Sequence, residues 1–451
     1  MLQDKKVTVV GGGISGIAAA SLLCRHGARV TLYDGNKSMD IEGTVKKVGE
    51  EVRIVCGEFT ESLREDTELL VLSPGVPTDL EFVQKCRECD IPVWGEIELA
   101  YKFEQGMLVG ITGTNGKTTT TALTGEIMKQ YFEDVFVVGN IGIPYTQMVE
   151  ETKEHSVTVA ELSSFQLETV QEDFSPQVSM ILNLTPDHLN RHYTMENYGR
   201  AKLSVALHQK ETQTCILNYE DEMLREFAKE LSCRILWFSS ARRLEEGLYL
   251  EDDRIVYAVN GETTDICRTG ELNIIGKHNY ENAMAAIGAA LCVNVPLEAI
   301  RKGLRSFHAV EHRIEYVATK KGVAYYNDSK GTNPDAAIKA IQAMSRPTLL
   351  IGGGYDKGSE YEEWIAAFEG KVKHFVLIGQ TREKIAETAK KMGITSVVLK
   401  DTFEEAMQFC EANAENGDAV LLSPACASWG MFKNYEERGN VFKEYVKAIK
   451  E

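Results

Sequence analysis

Residues 107–120, MLVGITGTNGKTTT, restrict what this chain can fold into more than any other stretch. An apolar run from Met107 to Ile111 feeds Gly113-Thr114-Asn115-Gly116-Lys117-Thr118-Thr119, and helix formers follow from Ala122 to Met128. The order is strand, glycine loop, helix, which belongs to α/β folds with a parallel sheet. Glycines let such a loop curl until its N–H groups and the helix N-terminus converge on an anion. Lys117 can then reach outer phosphates, and the Thr118 hydroxyl can hold Mg²⁺. The strict form of the loop has glycine at position 111, where this chain has Ile111 and places Gly110 one residue early. We read it as an ATP site of variant form, with Gly113 inside the loop.

The same alternation runs through the chain three times. KVTVV (6–10), GARVTLYD (27–34), VRIVCG (52–57) and LLVLSPG (69–75) read as buried strands, with a helix over Ser15–His26. A second set opens at Met107 and includes FVVGN (136–140), VTVAEL (157–162), VSMILN (178–183) and TCILN (214–218). Segment 242–272 reads as antiparallel hairpins, and an Ala-rich helix follows over Glu281–Cys292. A third set comprises VAYYNDS (323–329), RPTLLIGGG (346–354), KHFVLIG (373–379) and DAVLLSP (418–424). The expected fold is α/β in three domains with boundaries near 102 and 307. These are a Rossmann-like domain (1–102), a central P-loop ATPase-like domain with a mostly parallel sheet (103–307), and a Rossmann-like C-terminal domain (308–451). Three such domains on short hinges suit an enzyme that closes on several substrates.

Composition narrows the partners. The 451 residues carry 49 basic and 67 acidic side chains, a formal charge of −18, which speaks against nucleic acid or an anionic membrane surface. No run approaches the ~18 apolar residues of a membrane span. MLQDKKVTVV enters a strand without the apolar core of a signal peptide. The ten cysteines are scattered, and Cys86-x-x-Cys89 has no second pair to complete a zinc site. Reduced thiols in the cytoplasm are the expectation.

A second glycine loop follows the first strand. Gly11, Gly13 and Gly16 lie between strand and helix, and Asp34 ends the next strand. This is the dinucleotide fingerprint in its usual context, yet its physics demands only a pyrophosphate on a helix N-terminus, and UDP carries one too. Gly13-Ile14-Ser15, Asp34-Gly35-Asn36 and Ser73-Pro74-Gly75 would then meet at one sheet edge. One nucleotide site beside an ATP site suits a nucleotide-linked substrate activated by ATP.

Two strand ends in the central set carry the remaining chemistry. Glu161 closes VTVAE and can face the P-loop to take Mg²⁺. VSMILN runs into Leu184-Thr185-Pro186-Asp187-His188, then Asn190-Arg191-His192. His188 and His192 are i,i+4, but the acid of a zinc HExxH is missing.

Together with GTNGKTT (113–119), the segments ELSSFQLE (161–168), NLTPDHLNRH (183–192), NYGRAKLS (197–204), GKHNYENA (276–283), EHRIE (311–315) and NDSKGTNP (327–334) resemble the Mur ligases. These are the ATP-dependent amide-forming enzymes of peptidoglycan precursor synthesis. SKGTNP after Asp328 and SPACASWGMFKNYEERG (423–439) are similar to the D-glutamate-adding branch. The resemblance implies UDP-N-acetylmuramoyl-L-alanine and D-glutamate as substrates, ATP with two Mg²⁺ ions as cofactors, and a cytoplasmic monomer. It implies that Lys117 stabilises the transferring phosphoryl group and that Thr118 and Glu161 hold one ion. His188 and a carbamylated Lys202 would hold the second. Asn279 and Asn282 would read adenine, with Arg313 and Asp328 at the ATP ribose and phosphates. Asn140 and His188 would face the sugar-nucleotide. Lys330, Thr332, Lys357, Ser428 and Tyr435 would surround the carboxylates of D-glutamate.

Three other readings stay open at this level. A folylpolyglutamate synthase-like ligase would share the second and third domains but normally lacks the first. A nicotinamide- or flavin-dependent oxidoreductase would explain only the first loop. A non-catalytic nucleotide sensor would leave the metal-type ligands without use.

Overall fold

A computed structural model describes residues 2–140, 142–308 and 311–450. Its strands form three sheets. The first runs β3-β2-β1-β4-β5, with β1 Lys6–Val10, β2 Arg29–Asp34, β3 Arg53–Cys56, β4 Leu69–Leu72 and β5 Val93–Gly95, all parallel. Strand order reverses between β1 and β4, where open α/β sheets bind ligands. The loops there are Gly11–Gly13 and Ser73–Gly75.

The second sheet has nine strands. These are β6 Met107–Thr112, β7 Val135–Gly139, β8 Val157–Glu161, β9 Val178–Ile181, β10 Thr214–Asn218, β11 Arg234–Ser239, β12 Gly247–Glu251, β13 Arg254–Val259 and β14 Glu262–Arg268. Their order is β14-β13-β12-β11-β10-β9-β6-β8-β7. β7 to β12 are parallel, and β12-β13-β14 form the antiparallel hairpins expected of 242–272. β6 sits between β9 and β8, so the glycine loop leaves the sheet at its switch point. VTVAE and VSMI are buried throughout, as strands covered on both faces must be.

The third sheet runs β15-β16-β20-β17-β18-β19, with β15 Glu315–Lys320, β16 Val323–Asn327, β17 Thr348–Gly352, β18 Val372–Leu377, β19 Val397–Leu399 and β20 Ala419–Leu422. Only the edge strand β15 is antiparallel. Strands stop short of their expected ends because the last residues peel into loops. The 27–34 segment starts late, at Arg29, because Gly27 turns with φ 76°. The Ala-rich helix begins at Lys277 rather than Glu281.

The chain divides into two compact units, Met1–Arg268 with Glu281–Arg305, and Thr269–Tyr280 with Ser306–Glu451. The first two sheets therefore share one unit, and buried carboxylates join them. Glu96 accepts from the Thr146 N–H (2.7 Å) and hydroxyl (2.8 Å), and Glu98 accepts from Gln171 N–H (3.0 Å) while pairing with Lys102 (2.8 Å). Among the described residues no helix is long and apolar enough to cross a membrane.

Candidate active site

β6 delivers the chain into a loop that only glycines can form. Gly113 (φ 145°) and Gly116 (φ 87°) both take backbone conformations that side chains disfavour, and a Cβ at Gly116 would lie 2.2 Å from Asn282 Oδ1. Gly116 caps the helix Lys117–Met128 without a side-chain hydrogen bond, which leaves its first N–H groups to an anion. Thr118 follows in the first turn. The loop is sewn to the NLTPDH segment: Asn115 N–H donates to Asn183 Oδ1 (2.8 Å), Thr114 N–H donates to Asn183 O (2.9 Å), and Thr185 N–H donates to Thr114 Oγ1 (3.0 Å).

Two lysines meet on one carbonyl. Lys117 Nζ donates to Gly113 O and Thr114 O (both 2.9 Å), and Lys202 Nζ donates to Gly113 O (2.9 Å). Lys202 is 1% exposed, on the helix Met195–Leu203. Burial, then the nearby Lys117 charge, hold its ammonium pKa well below the ordinary value.

Glu161 closes β8 and is buried. Oε1 accepts from Asn140 Nδ2 (3.0 Å), while Oε2 has no hydrogen-bond partner among the described residues. An orphaned buried carboxylate oxygen is expensive unless something binds it. Among the described residues no group of three or more His, Cys, Asp or Glu side chains could hold a metal. One carboxylate plus a hydroxyl suits Mg²⁺, which takes few protein ligands and completes its shell with phosphates and water. Thr118 and Glu161 fit that chemistry. The structure places Asn140 against this carboxylate, a pairing that the sequence did not reveal.

His188 has φ 52° and starts the short helical turn Leu189–His192. Its ring is half-exposed, 4.8 Å from Phe165, with Nε2 3.4 Å from Asp187 Oδ2. His192 is buried instead, with Nε2 2.9 Å from Ser164 Oγ, and burial pushes its pKa down. The two histidines thus have different surroundings.

At the first sheet, Gly11 N–H pairs with Tyr33 O, and a Cβ at Gly16 would lie 1.8 Å from Gly11 O. Gly13 caps the helix Ile14–Arg25 without a side-chain bond, and a Cβ there would meet nothing within 4 Å among the described residues. Ile14 is exposed, with Ser15 beside it in the first turn. Asp34 accepts from Gly12 N–H (2.7 Å) and Asn36 N–H (2.8 Å), so both oxygens brace the loops. Ser73 Oγ donates to Gly11 O (3.3 Å); Gly35 and Gly75 are exposed and Pro74 half-buried.

The second unit gathers a separate set. Asp328 is 3% exposed; its Oδ2 accepts from Ser423 Oγ (2.7 Å) and its Oδ1 from Ile314 N–H (3.2 Å), and burial raises its pKa to about 7. Arg313 Nε is buried with no partner among the described residues. Arg438, 1% exposed on the helix Tyr435–Ala448, donates to Ser329 Oγ (2.9 Å), Ser329 O (2.8 Å) and Cys426 O (3.2 Å). One guanidinium therefore fastens the loops carrying Lys330-Gly331-Thr332 and Ser428. Lys330 Nζ lies 5.6 Å from the Tyr435 ring, and Lys357 Nζ 4.8 Å from that of Trp429. Burial raises the Tyr435 phenol to about 12. Asn279, in this unit, is buried and its Nδ2 donates to Ile275 O (2.8 Å); Asn282, on the same helix, is buried and belongs to the first unit.

Two glycine-capped helix N-termini without side-chain caps stand on two α/β sheets, the build of an ATP-dependent ligase, and three family models match the chain. The Mur ligase MurD-like N-terminal domain matches residues 5–95, the Mur ligase middle domain 111–290, and the Mur ligase glutamate ligase domain 312–426. The chain belongs to the Mur ligase family. It is 57% identical to the UDP-N-acetylmuramoylalanine--D-glutamate ligase of Lachnoclostridium phytofermentans over 99% of each chain. It is 46% identical to the enzyme so named from Thermoanaerobacter pseudethanolicus, over 100% of this chain and 99% of that one. In fold it is similar to the UDP-N-acetylmuramate-alanine ligase MurC of Thermotoga maritima, with TM-score 0.60 at 18% identity, covering 99% of this chain and 100% of that chain.

Proposed function

We propose that this chain is an ATP-dependent ligase that joins D-glutamate to UDP-N-acetylmuramoyl-L-alanine in peptidoglycan precursor synthesis. The observation that carries it is full-length similarity to D-glutamate ligases at 57% identity, on a chain whose Lys117 and Lys202 converge on the glycine loop. The domain division 1–102, 103–307 and 308–451, the site roles, a monomeric state and cytoplasmic residence belong to the same proposal.

Amide formation from a carboxylate and an amine is uphill in water, so the carboxylate must first be activated. A carboxylate oxygen of the alanyl group attacks the γ-phosphorus of ATP, and ADP leaves. The amine of D-glutamate then attacks the acyl carbon. A tetrahedral intermediate forms, the amine loses a proton, and inorganic phosphate departs. Lys117 neutralises charge on the phosphoryl group in flight, and the glycine-loop N–H groups orient it. Mg²⁺ held by Thr118 and Glu161 would supply further charge neutralisation.

Burial and the Lys117 charge hold the Lys202 pKa well below its ordinary value, a shift toward the neutral amine that carbamylation requires. A neutral amine can add to CO₂ and lose a proton, turning a buried base into an anion able to hold a second Mg²⁺ with His188. Asn279, Asn282, Arg313 and Asp328 serve the adenosine and phosphates of ATP. Gly13, Ile14, Ser15, Asp34–Asn36, Ser73–Gly75 and Asn140 serve the sugar-nucleotide. Lys330, Thr332, Lys357, Ser428 and Tyr435 capture the D-glutamate carboxylates. The test is ADP release with UDP-N-acetylmuramoyl-L-alanine and D-glutamate, compared with folate substrates and with NADH oxidation. Turnover with a folate and glutamate, or NADH oxidation, in place of the sugar-nucleotide reaction would overturn the reading.

A further inference from the structure

Arg191 is the third residue after His188 and has none of the roles assigned above. Its guanidinium grips Glu168 at two points, Nε to Oε1 (3.2 Å) and Nη2 to Oε2 (2.6 Å). The same head group donates to Val76 O (3.2 Å) and Pro74 O (3.5 Å). Its carbon lies 4.3 Å from the Phe165 ring centroid. Glu168 Oε2 also accepts from Thr78 Oγ1 at 3.2 Å. Both charged side chains are largely buried, 16% and 14% exposed.

These atoms belong to three segments far apart in sequence. Pro74 and Val76 lie in the loop after β4, at the switch crevice of the first sheet. Phe165 and Glu168 follow Glu161 off β8. Arg191 sits on the turn that begins at His188. A planar five-donor fork can satisfy a carboxylate and two carbonyls at once; an ammonium cannot hold the same geometry. Shielding from water strengthens each of these bonds relative to a surface pair.

We infer that Arg191 is a positioning residue that couples the Ser73–Gly75 loop to the His188 turn, so that seating the sugar-nucleotide sets the register of its carboxylate toward the reacting phosphoryl group. This rests on the reading that the Ser73–Gly75 loop holds that substrate. Glu168 is the anchor of the coupling, and Thr78 extends it along the first-domain loop.

Calorimetric titration with UDP-N-acetylmuramoyl-L-alanine, and separately with a non-hydrolysable ATP analogue, tests the coupling on the full chain. Arg191→Gln should raise the sugar-nucleotide Kd by about 10-fold or more, the scale of a lost charge-assisted contact, while the ATP-analogue Kd moves by less than about two-fold. Arg191→Lys should recover part of the loss. Glu168→Gln should weaken the same affinity, and adding it to Arg191→Gln should cost little more, because the two act as one unit. Thr78→Val removes one hydroxyl without disturbing the ion pair, and should raise the sugar-nucleotide KM with kcat nearly unchanged.

Equal losses for both ligands, or fully additive double substitution, would mark Arg191 as general scaffolding and overturn the coupling. Unchanged sugar-nucleotide affinity in both Arg191→Gln and Thr78→Val would overturn it while leaving the site reading intact. Failure of the unsubstituted protein to bind the sugar-nucleotide would remove the site reading and the coupling with it.

Discussion

Asn140 donates to one oxygen of Glu161 at 3.0 Å, and the other oxygen is buried without a partner among the described residues. A half-satisfied buried carboxylate is a standing cost to the ligand-free fold and a ready seat for a cation. Glu161→Gln should therefore separate stability from activity. The ligand-free variant should melt about 1–2 °C higher, as relief of about 1 kcal/mol of buried-charge cost would give in a chain of this length. Ligase activity should fall by about 100-fold or more, the scale of one lost electrostatic contributor at a reacting centre. Scanning calorimetry of the ligand-free protein checks the first and ADP release with Mg²⁺ the second; a lower melting point with retained activity would refute the assignment.

Asp328 gives a pH signature. Its carboxyl pKa is raised to about 7 by burial, so the folded protein holds a proton that the unfolded chain has already released. Stability from this group is complete below the unfolded pKa, near 4, and is lost as pH rises through about 7. Asp328→Asn removes the titration. Relative to wild type it should gain on the order of a few kcal/mol between pH 4 and pH 8. Denaturant melts at both pH values report this directly, and parallel profiles would refute it.

Carbamylation of Lys202 should be visible in ¹³C-bicarbonate buffer as a carbamate resonance absent from Lys202→Ala. That variant should lose most activity, and short-chain carboxylic acids in excess should restore part of it. Full activity of the unsubstituted protein in CO₂-depleted buffer would sink the idea.

Lys117→Ala should abolish trapping of the activated carboxylate. With ATP, Mg²⁺, the sugar-nucleotide and hydroxylamine but no amino acid, wild type should form a hydroxamate and the variant none. A loss of only a few-fold would remove Lys117 from the machinery.

The amino-acid set predicts a kinetic split. Lys330→Ala and Ser428→Ala should each raise the D-glutamate KM by about 10- to 150-fold, as losing 1.5–3 kcal/mol of charge-assisted bonding would. The ATP KM should stay near wild type. Parallel increases for every substrate would indicate a folding defect.

Much of the architecture was legible because strands buried on both faces write apolar runs, and phosphate loops write glycines. The hairpins of 242–272 followed from alternation and turn residues. β5 and β19, three residues each, were too short to show a period. Residue types and motif order marked Lys117, Glu161 and His188. Their surroundings were not legible: Lys202 lies in a polar-looking segment, NYGRAKLS, yet is among the most buried side chains. Arg191 and Arg438 escaped for a shared reason. Several of their partners are backbone carbonyls distant in sequence, and carbonyls leave no residue signature. Asn140 was marked for the sugar-nucleotide, but its pairing with Glu161, 21 residues away on a neighbouring strand end, was not legible.

Arg438 would make the proposed amino-acid pocket adaptable. Because the guanidinium grips Ser329 and Cys426 chiefly through main-chain oxygens, the frame does not depend on which side chains crown the two loops. Side-chain changes at Lys330 and Ser428 leave the main-chain oxygens of Ser329 and Cys426 that the arginine holds in place. Substrate choice can then drift by changes at the crown while the arginine beneath is retained, so selectivity and foldability evolve on separate residues.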